Sequence, residues 1–173
     1  MDYLWSPWRY QYISAPPAST GCIFCQKAAE NKDAENLVVW RGERTFVLLN
    51  LYPYTSGHLM VAPYEHVSRL EDAGAETAAE LMMTARLAEK HLRAIYRPEG
   101  LNLGMNLGRA AGAGIADHIH LHVLPRWVGD SSFITTVGET RVVPEELSVT
   151  YAKLSRAFAG ERHGANHEKQ SER

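Results

Sequence analysis

Cysteine is scarce in this chain: two in 173 residues, at positions 22 and 25. A disulfide framework is therefore excluded, and so close a pair points to a reducing compartment, so a cytoplasmic protein is expected. Charge of one sign is scarce as well. Eighteen Lys and Arg against twenty Asp and Glu leave a net charge of -2. That balance offers no broad basic surface and argues against nucleic acid as a partner. A small phosphorylated ligand stays open, because it needs only local donors. No apolar run approaches the roughly 20 residues of a membrane span. Residues 1–10 carry neither the basic nor the apolar stretch of a secretory signal. The length suits one domain with a real core.

What is present is a set of alternations. Residues 1–20 crowd Tyr3, Trp5, Trp8 and Tyr10 ahead of Pro16-Pro17, and read as an arm packing on the domain or on a partner subunit. A short helix is expected at 23–31. Strands are expected at 37–40 and 45–50, joined by Arg41-Gly42-Glu43-Arg44, and at 58–63 after a turn holding Pro53 and Gly57. Leu81, Ala85, Ala88, Leu92 and Ile95 recur at helical spacing within 71–96, and Pro98 and Gly100 end that helix. Leu101, Leu103, Met105 and Leu107 alternate with Asn102, Gly104, Asn106 and Gly108. Such a strand has a small polar face that lets a ligand approach the backbone. Another helix is expected near 144–159, and the charged tail 161–173 is expected to lack structure. Together these predict a single α+β domain over 21–160, an antiparallel sheet with helices packed on one face and chemistry on the other.

The strongest signal is His118-Ile119-His120-Leu121-His122-Val123. In an extended strand the three histidines share one face, with neighbours roughly 6–7 Å apart. Three readings compete: a polar face turned to water, a plain tri-histidine metal site, and a catalytic row in which each imidazole has its own task. The flanking sequence favours the third. Neutral imidazole attacks phosphorus well and leaves readily, so it splits one displacement into two. His120, with a neighbour on each side, is the expected nucleophile. His122 is the expected donor to a phosphoryl oxygen or leaving group.

Cys22-Ile23-Phe24-Cys25 is either half of a zinc site, a redox dithiol, or two unrelated thiols. It follows a Pro/Ser/Thr-rich linker rather than a strand, which weakens the redox reading. Zinc needs two more ligands, and His66 and His118 are the candidates. Four protein ligands would close the site and make it structural. The glycine loop 108–115 precedes the histidine run and can present backbone N–H groups to an anion. Asn50 and His58 flank a turn and can bind ribose hydroxyls or line the pocket. His91, His163 and His167 are expected to be solvated.

The run His-φ-His-φ-His-φ-φ, with φ apolar, resembles the signature of the histidine triad superfamily. The resemblance spans about residues 22–127 and includes Asn50, Gly57-His58, Asn106-Leu107-Gly108 and Pro125-Arg126. It implies an α+β fold and a homodimer with the sheets of two subunits joined. It also implies attack on a nucleotide α-phosphate through a nucleotidyl-histidine, with His120 as nucleophile and His122 on the phosphate. Asn50 falls where the dinucleoside-polyphosphate branch contacts ribose. Asn106 falls where that branch has glutamine, and Gly112, Ala113, Gly114 and Ile115 fall in its phosphate loop. That loop is one residue longer here than in the fragile-histidine-triad branch, with Ala113 and Gly114 in place of polar residues. The ligand set Cys22, Cys25, His66 and His118 resembles the zinc site of bacterial triad proteins. Trp5-Ser6-Pro7-Trp8-Arg9 and the segment Arg126 to Phe133 are similar to bacterial proteins related to diadenosine tetraphosphate phosphorylases.

The leading expectation is thus a nucleotidyl hydrolase or transferase acting on a dinucleoside polyphosphate. Water as acceptor makes it a hydrolase and inorganic phosphate a phosphorylase. The alternatives are a phosphoramidate hydrolase of the same family, a nucleotide-binding module with little turnover, and a metalloenzyme in which zinc does the chemistry. The last predicts an open coordination position; the leading expectation predicts that metal loss mainly costs stability and that catalysis is lost when His120 is changed.

Overall fold

The computed structural model describes residues 21–131, 135, 137 and 144–171, with side chains as far as Glu161. The aromatic arm and Phe133 lie outside the described residues. Helix α1 (Ile23–Ala29) and the single turn α2 (Asp33–Asn36) lead into β1 (Val38–Arg41), β2 (Thr45–Leu49) and β3 (Leu59–Pro63). A 3-10 turn (Leu70–Asp72) precedes the long helix α3 (Ala75–Tyr96). Strand β4 (Gly100–Met105), a second 3-10 turn (Arg109–Ala111), β5 (Leu121–Arg126) and helix α4 (Leu147–Ser171) complete the chain. The strands form one sheet in the order β1-β2-β3-β5-β4, each neighbouring pair antiparallel.

Every residue of β2 and β3 is buried, so the middle of the sheet is covered on both faces. On one face Val47, Leu49, Leu59, Val61, Ile119, Leu121 and Val123 pack against Leu81, Ala85, Ala88 and Leu92 of α3 and Leu154 and Phe158 of α4. The helical stripe read from spacing is that contact. On the other face Val38, Phe46, Leu48, Met60 and Ala62 pack on Phe24 of α1. The two long helices thus lie on one side as expected, while the short α1 sits opposite. Seven residues with one buried side chain are too few to show an apolar stripe in sequence.

Helix α3 starts at Ala75 rather than 71, because the Glu65 carboxylate accepts from the Gly74 N–H (3.1 Å) and the Thr77 hydroxyl (2.7 Å) and organises its first turn. Helix α4 runs on to Ser171, past the end expected near 159 and into the tail expected to lack structure. Residues such as Ala, Glu, Lys and Gln favour helix without any apolar stripe. Gly57 has φ +81, and a Cβ there would meet Tyr96 Cε2 at 2.9 Å. Only glycine allows the turn into β3 to pass under the end of α3. No helix among the described residues is long and apolar enough to cross a membrane.

Candidate active site and metal centre

The regular strand β5 begins at Leu121, so His118 and His120 lie just ahead of it. Backbone alternation still holds. Ile119, Leu121 and Val123 enter the helical core, and the three histidines go to the face of Phe24. Met60 and Gly104 flank His122 in register on β3 and β4. All three imidazoles are buried, which removes the reading of a polar face turned to water. The His120 and His122 rings meet edge to face with centroids 4.9 Å apart, closer than strand spacing alone suggests, because the rings lean together.

Each imidazole has a tautomer set by its neighbours. His120 Nδ1 is 3.0 Å from the His118 carbonyl oxygen, which can only accept. The proton therefore sits on Nδ1 and the Nε2 lone pair is free. Beside it runs a relay. The Tyr54 amide donates to His58 Nδ1 (3.2 Å), so His58 carries its proton on Nε2 and donates to His122 Nδ1 at 2.9 Å. His122 then has its proton on Nε2, as a donor. Burial holds all of them below the usual imidazole pKa. Burial and the positive charges His122 and His120 would carry push His58 down to about 3. Burial and then His120 push His122 down to about 4. His120 is lowered by burial, partly offset by its bond to the His118 carbonyl. At neutral pH the row is therefore uncharged, with one free lone pair and one N–H donor side by side.

Four ligand atoms gather at the other end of the row. The Cys22 and Cys25 thiols and one ring nitrogen each of His66 and His118 lie within 4.8 Å of one another. Cys22 Sγ and His118 Nδ1 are 3.3 Å apart, Cys25 Sγ and His66 Nδ1 3.3 Å, and the two Nδ1 atoms 3.3 Å. A tetrahedral zinc with bonds of about 2.0–2.3 Å needs ligand edges of about 3.3–3.8 Å. The donor set fits such an ion. His118 Nε2 donates to the Pro63 carbonyl (3.0 Å), which leaves Nδ1 to face the thiols, the kind of outer partner that orients metal ligands. The four side chains can hold a metal, and would use every position of a tetrahedron. Hydrolysis on the ion would require an open one.

The remaining expected residues are placed as follows. Asn50 accepts from the Tyr52 amide through Oδ1 (3.0 Å), and its Nδ2 lies 3.4 Å from His58 Nδ1. Asn106 follows Met105, which pairs with Leu121, so register puts it beside the entry to the histidine row. It has no hydrogen-bond partner among the described residues. In the glycine loop the amides of Gly112 and Ala113 donate to Arg109 and Gly108 carbonyls (2.9 and 3.3 Å). Those two amides are committed to the turn; among the described residues Gly114 and Ile115 have no acceptor for theirs. His91 corrects its expectation. It is 8% exposed, 4.5 Å from the Phe158 ring and beside Glu161, because it faces α4 rather than water. Side chains at 163 and 167 lie outside the described residues.

Two participants carry no signal in the sequence. Tyr54 sets a tautomer through its backbone, which any residue but proline can do. Phe24 lies between the two thiols as an ordinary apolar residue of a short helix; its ring touches both His118 and His120.

Residues 31–128 match the HIT domain family model. The chain belongs to the HIT family. This HIT protein is 42% identical over 167 residues to the AP-4-A phosphorylase of Mycobacterium tuberculosis, covering 92% of this chain and 85% of that one. A Zn-bound histidine triad family protein from Mycobacterium smegmatis superposes with a TM-score of 0.64 at 27% identity, covering 83% of this chain and 97% of that one. A hypothetical histidine triad nucleotide-binding protein from Sulfolobus tokodaii gives 0.62 at 26%, with 80% and 93% covered. The α+β triad fold expected from sequence is thereby confirmed.

Proposed function

We propose that this protein cleaves a dinucleoside polyphosphate, diadenosine tetraphosphate in the first instance, by transferring a nucleotidyl group through His120. The observation that carries the reading is the His120 Nδ1–H bond to the His118 carbonyl, which leaves Nε2 unprotonated in a buried, uncharged row. That nitrogen attacks the α-phosphorus. His122 donates Nε2–H to a phosphoryl oxygen, and the polyphosphate half departs. The acceptor oxygen then displaces His120. Similarity to an AP-4-A phosphorylase supports phosphate as that acceptor.

In this reading Asn50 meets the ribose, and Asn106, Gly114 and Ile115 face the phosphates at the mouth of the row. Cys22, Cys25, His66 and His118 hold zinc. The ion would fix α1 and the His118 backbone and supply rigidity; the reaction itself belongs to the side chains. Cysteines outside any disulfide and a nucleotide substrate suit the cytoplasm. The edge strand β4, with Leu103 42% exposed and Leu107 just beyond its end 45% exposed, is the surface through which two copies would join their sheets. Sedimentation of the native protein should show a dimer, and a monomer at micromolar concentration would refute that assembly.

The decisive test is product identity. Diadenosine tetraphosphate with phosphate should yield ADP and ATP, whereas AMP and ATP would mark water as acceptor. His120→Ala should lose at least about 10³-fold in rate with its fold intact, and His122→Ala about 10²–10³-fold. A wild-type protein that turns over no dinucleotide, or shows no nucleotidyl adduct on His120 by mass spectrometry, would end this reading in favour of a phosphoramidate hydrolase or a binding module.

A further inference from the structure

When neutral His120 attacks through Nε2, its ring becomes a cation. The Nε2 lone pair forms the bond to phosphorus, the P–O bond to the departing polyphosphate breaks, and that oxygen leaves with the electron pair. The Nδ1 proton stays, shared with the His118 carbonyl. In the second half the acceptor oxygen bonds to phosphorus, and the P–N electron pair returns to Nε2. Between the two halves the ring holds one positive charge in a buried site. Among the described residues no Asp or Glu hydrogen-bonds to His58, His118, His120 or His122, so no carboxylate is placed to offset it.

Besides the His118 carbonyl on Nδ1, one side chain among the described residues is placed to do so. Phe24 is 2% exposed, and its ring centroid lies 4.8 Å from that of His120, with the planes 36° apart. The ring therefore turns a tilted face to the imidazole, inside the roughly 6 Å at which an aromatic face attracts a cation. His120 also meets His122 edge to face, with centroids 4.9 Å apart. Phe24 is anchored: its neighbours Cys22 and Cys25 reach His118 and His66, and it is the one buried residue of α1. It also touches the His118 ring at 5.1 Å.

We propose that the π face of Phe24 stabilises the positive charge of the nucleotidyl-His120 intermediate. The interaction is weak with the neutral ground-state ring and grows as the P–N bond forms, so it accelerates the step rather than tightening substrate binding. It deepens the nucleotidyl-transfer reading above and rests on it.

The test replaces Phe24 with 4-fluoro-, 3,5-difluoro- and 3,4,5-trifluorophenylalanine in the full-length, metal-loaded protein. Fluorination keeps the ring's shape and progressively removes the negative charge on its face. In single-turnover experiments with diadenosine tetraphosphate, the rate of adduct formation should fall stepwise, about 3- to 30-fold across the series. KM and the thermal midpoint should hold steady. Phe24→Leu, matched for folding by its thermal midpoint, should lose at least as much as the trifluoro variant. A rate flat across the series overturns the proposal, as does a change confined to KM, which would make Phe24 only a wall of the nucleoside pocket. If the wild type forms no adduct, the function itself is wrong and no cation needs stabilising. If the wild type forms it and the series is flat, only the role of Phe24 falls.

Discussion

At the scale of single residues, the site works by making buried histidines uncharged and giving each a different proton. The same burial couples stability to pH. His58 and His122 titrate near 3 and 4 in the folded protein, against about 6.5 in an unfolded chain. Between those limits the unfolded chain binds protons that the folded one refuses, so acid favours unfolding. Their contribution is intact above about pH 6.5 and is lost progressively as pH falls toward 4. The thermal midpoint should drop over that window. In His58→Gln, which cannot titrate there, the drop should be shallower; an equal slope would remove His58 from the account.

At the scale of elements, the β1–β2 connection depends on one carboxylate from α3. Glu80 Oε1 accepts from the amides of Arg44 (2.9 Å) and Thr45 (3.0 Å) and from the Thr45 hydroxyl (2.9 Å), which in turn meets Thr84. A Cβ on Gly42 would come within 2.6 Å of that carboxylate oxygen and of the Trp40 ring, so the turn has no room to rearrange. Glu80→Ala orphans these donors at a half-buried position and should cost about 1–3 kcal/mol in urea unfolding, with catalysis preserved. A loss below about 0.5 kcal/mol would mean that water replaces the carboxylate. This link joins residues 35 or more apart in the chain, and no local pattern announces it. The strands and α3 were legible because alternation and 3.6-residue spacing are local properties. The helix expected at 23–31 is present as α1, but it packs by a single residue, so its side of the sheet was not legible; His91 is buried by a helix more than 50 positions away, which no local pattern shows.

For the whole molecule, the ligand cluster and the histidine row share a backbone. His118 offers Nδ1 to the ligand cluster and its carbonyl to His120, while Pro63, at the end of β3, holds His118 from behind. The cluster also ties α1 to the loop after β3 through His66. Stripping the metal should therefore lower the thermal midpoint, by about 2–4 °C for each kcal/mol of lost binding energy. Zinc alone should restore both midpoint and rate. A rate that follows metal content at constant stability would instead place the chemistry on the ion.

The sequence by itself determined the family and the class of reaction, and it singled out His120 as the candidate nucleophile. Three histidines at period two, with an apolar face between them, need only the geometry of an extended chain to be read. It also pointed to the cluster that can hold a metal, because two thiols three apart and two histidines form a known donor set. Which nitrogen of each ring is free was decided only by tertiary structure. That choice depends on the carbonyls of Pro63 and His118 and the amide of Tyr54, and backbone groups carry no residue code. The placement of Phe24 against the reacting ring belongs there too, since it arises where a short helix meets the far face of a sheet.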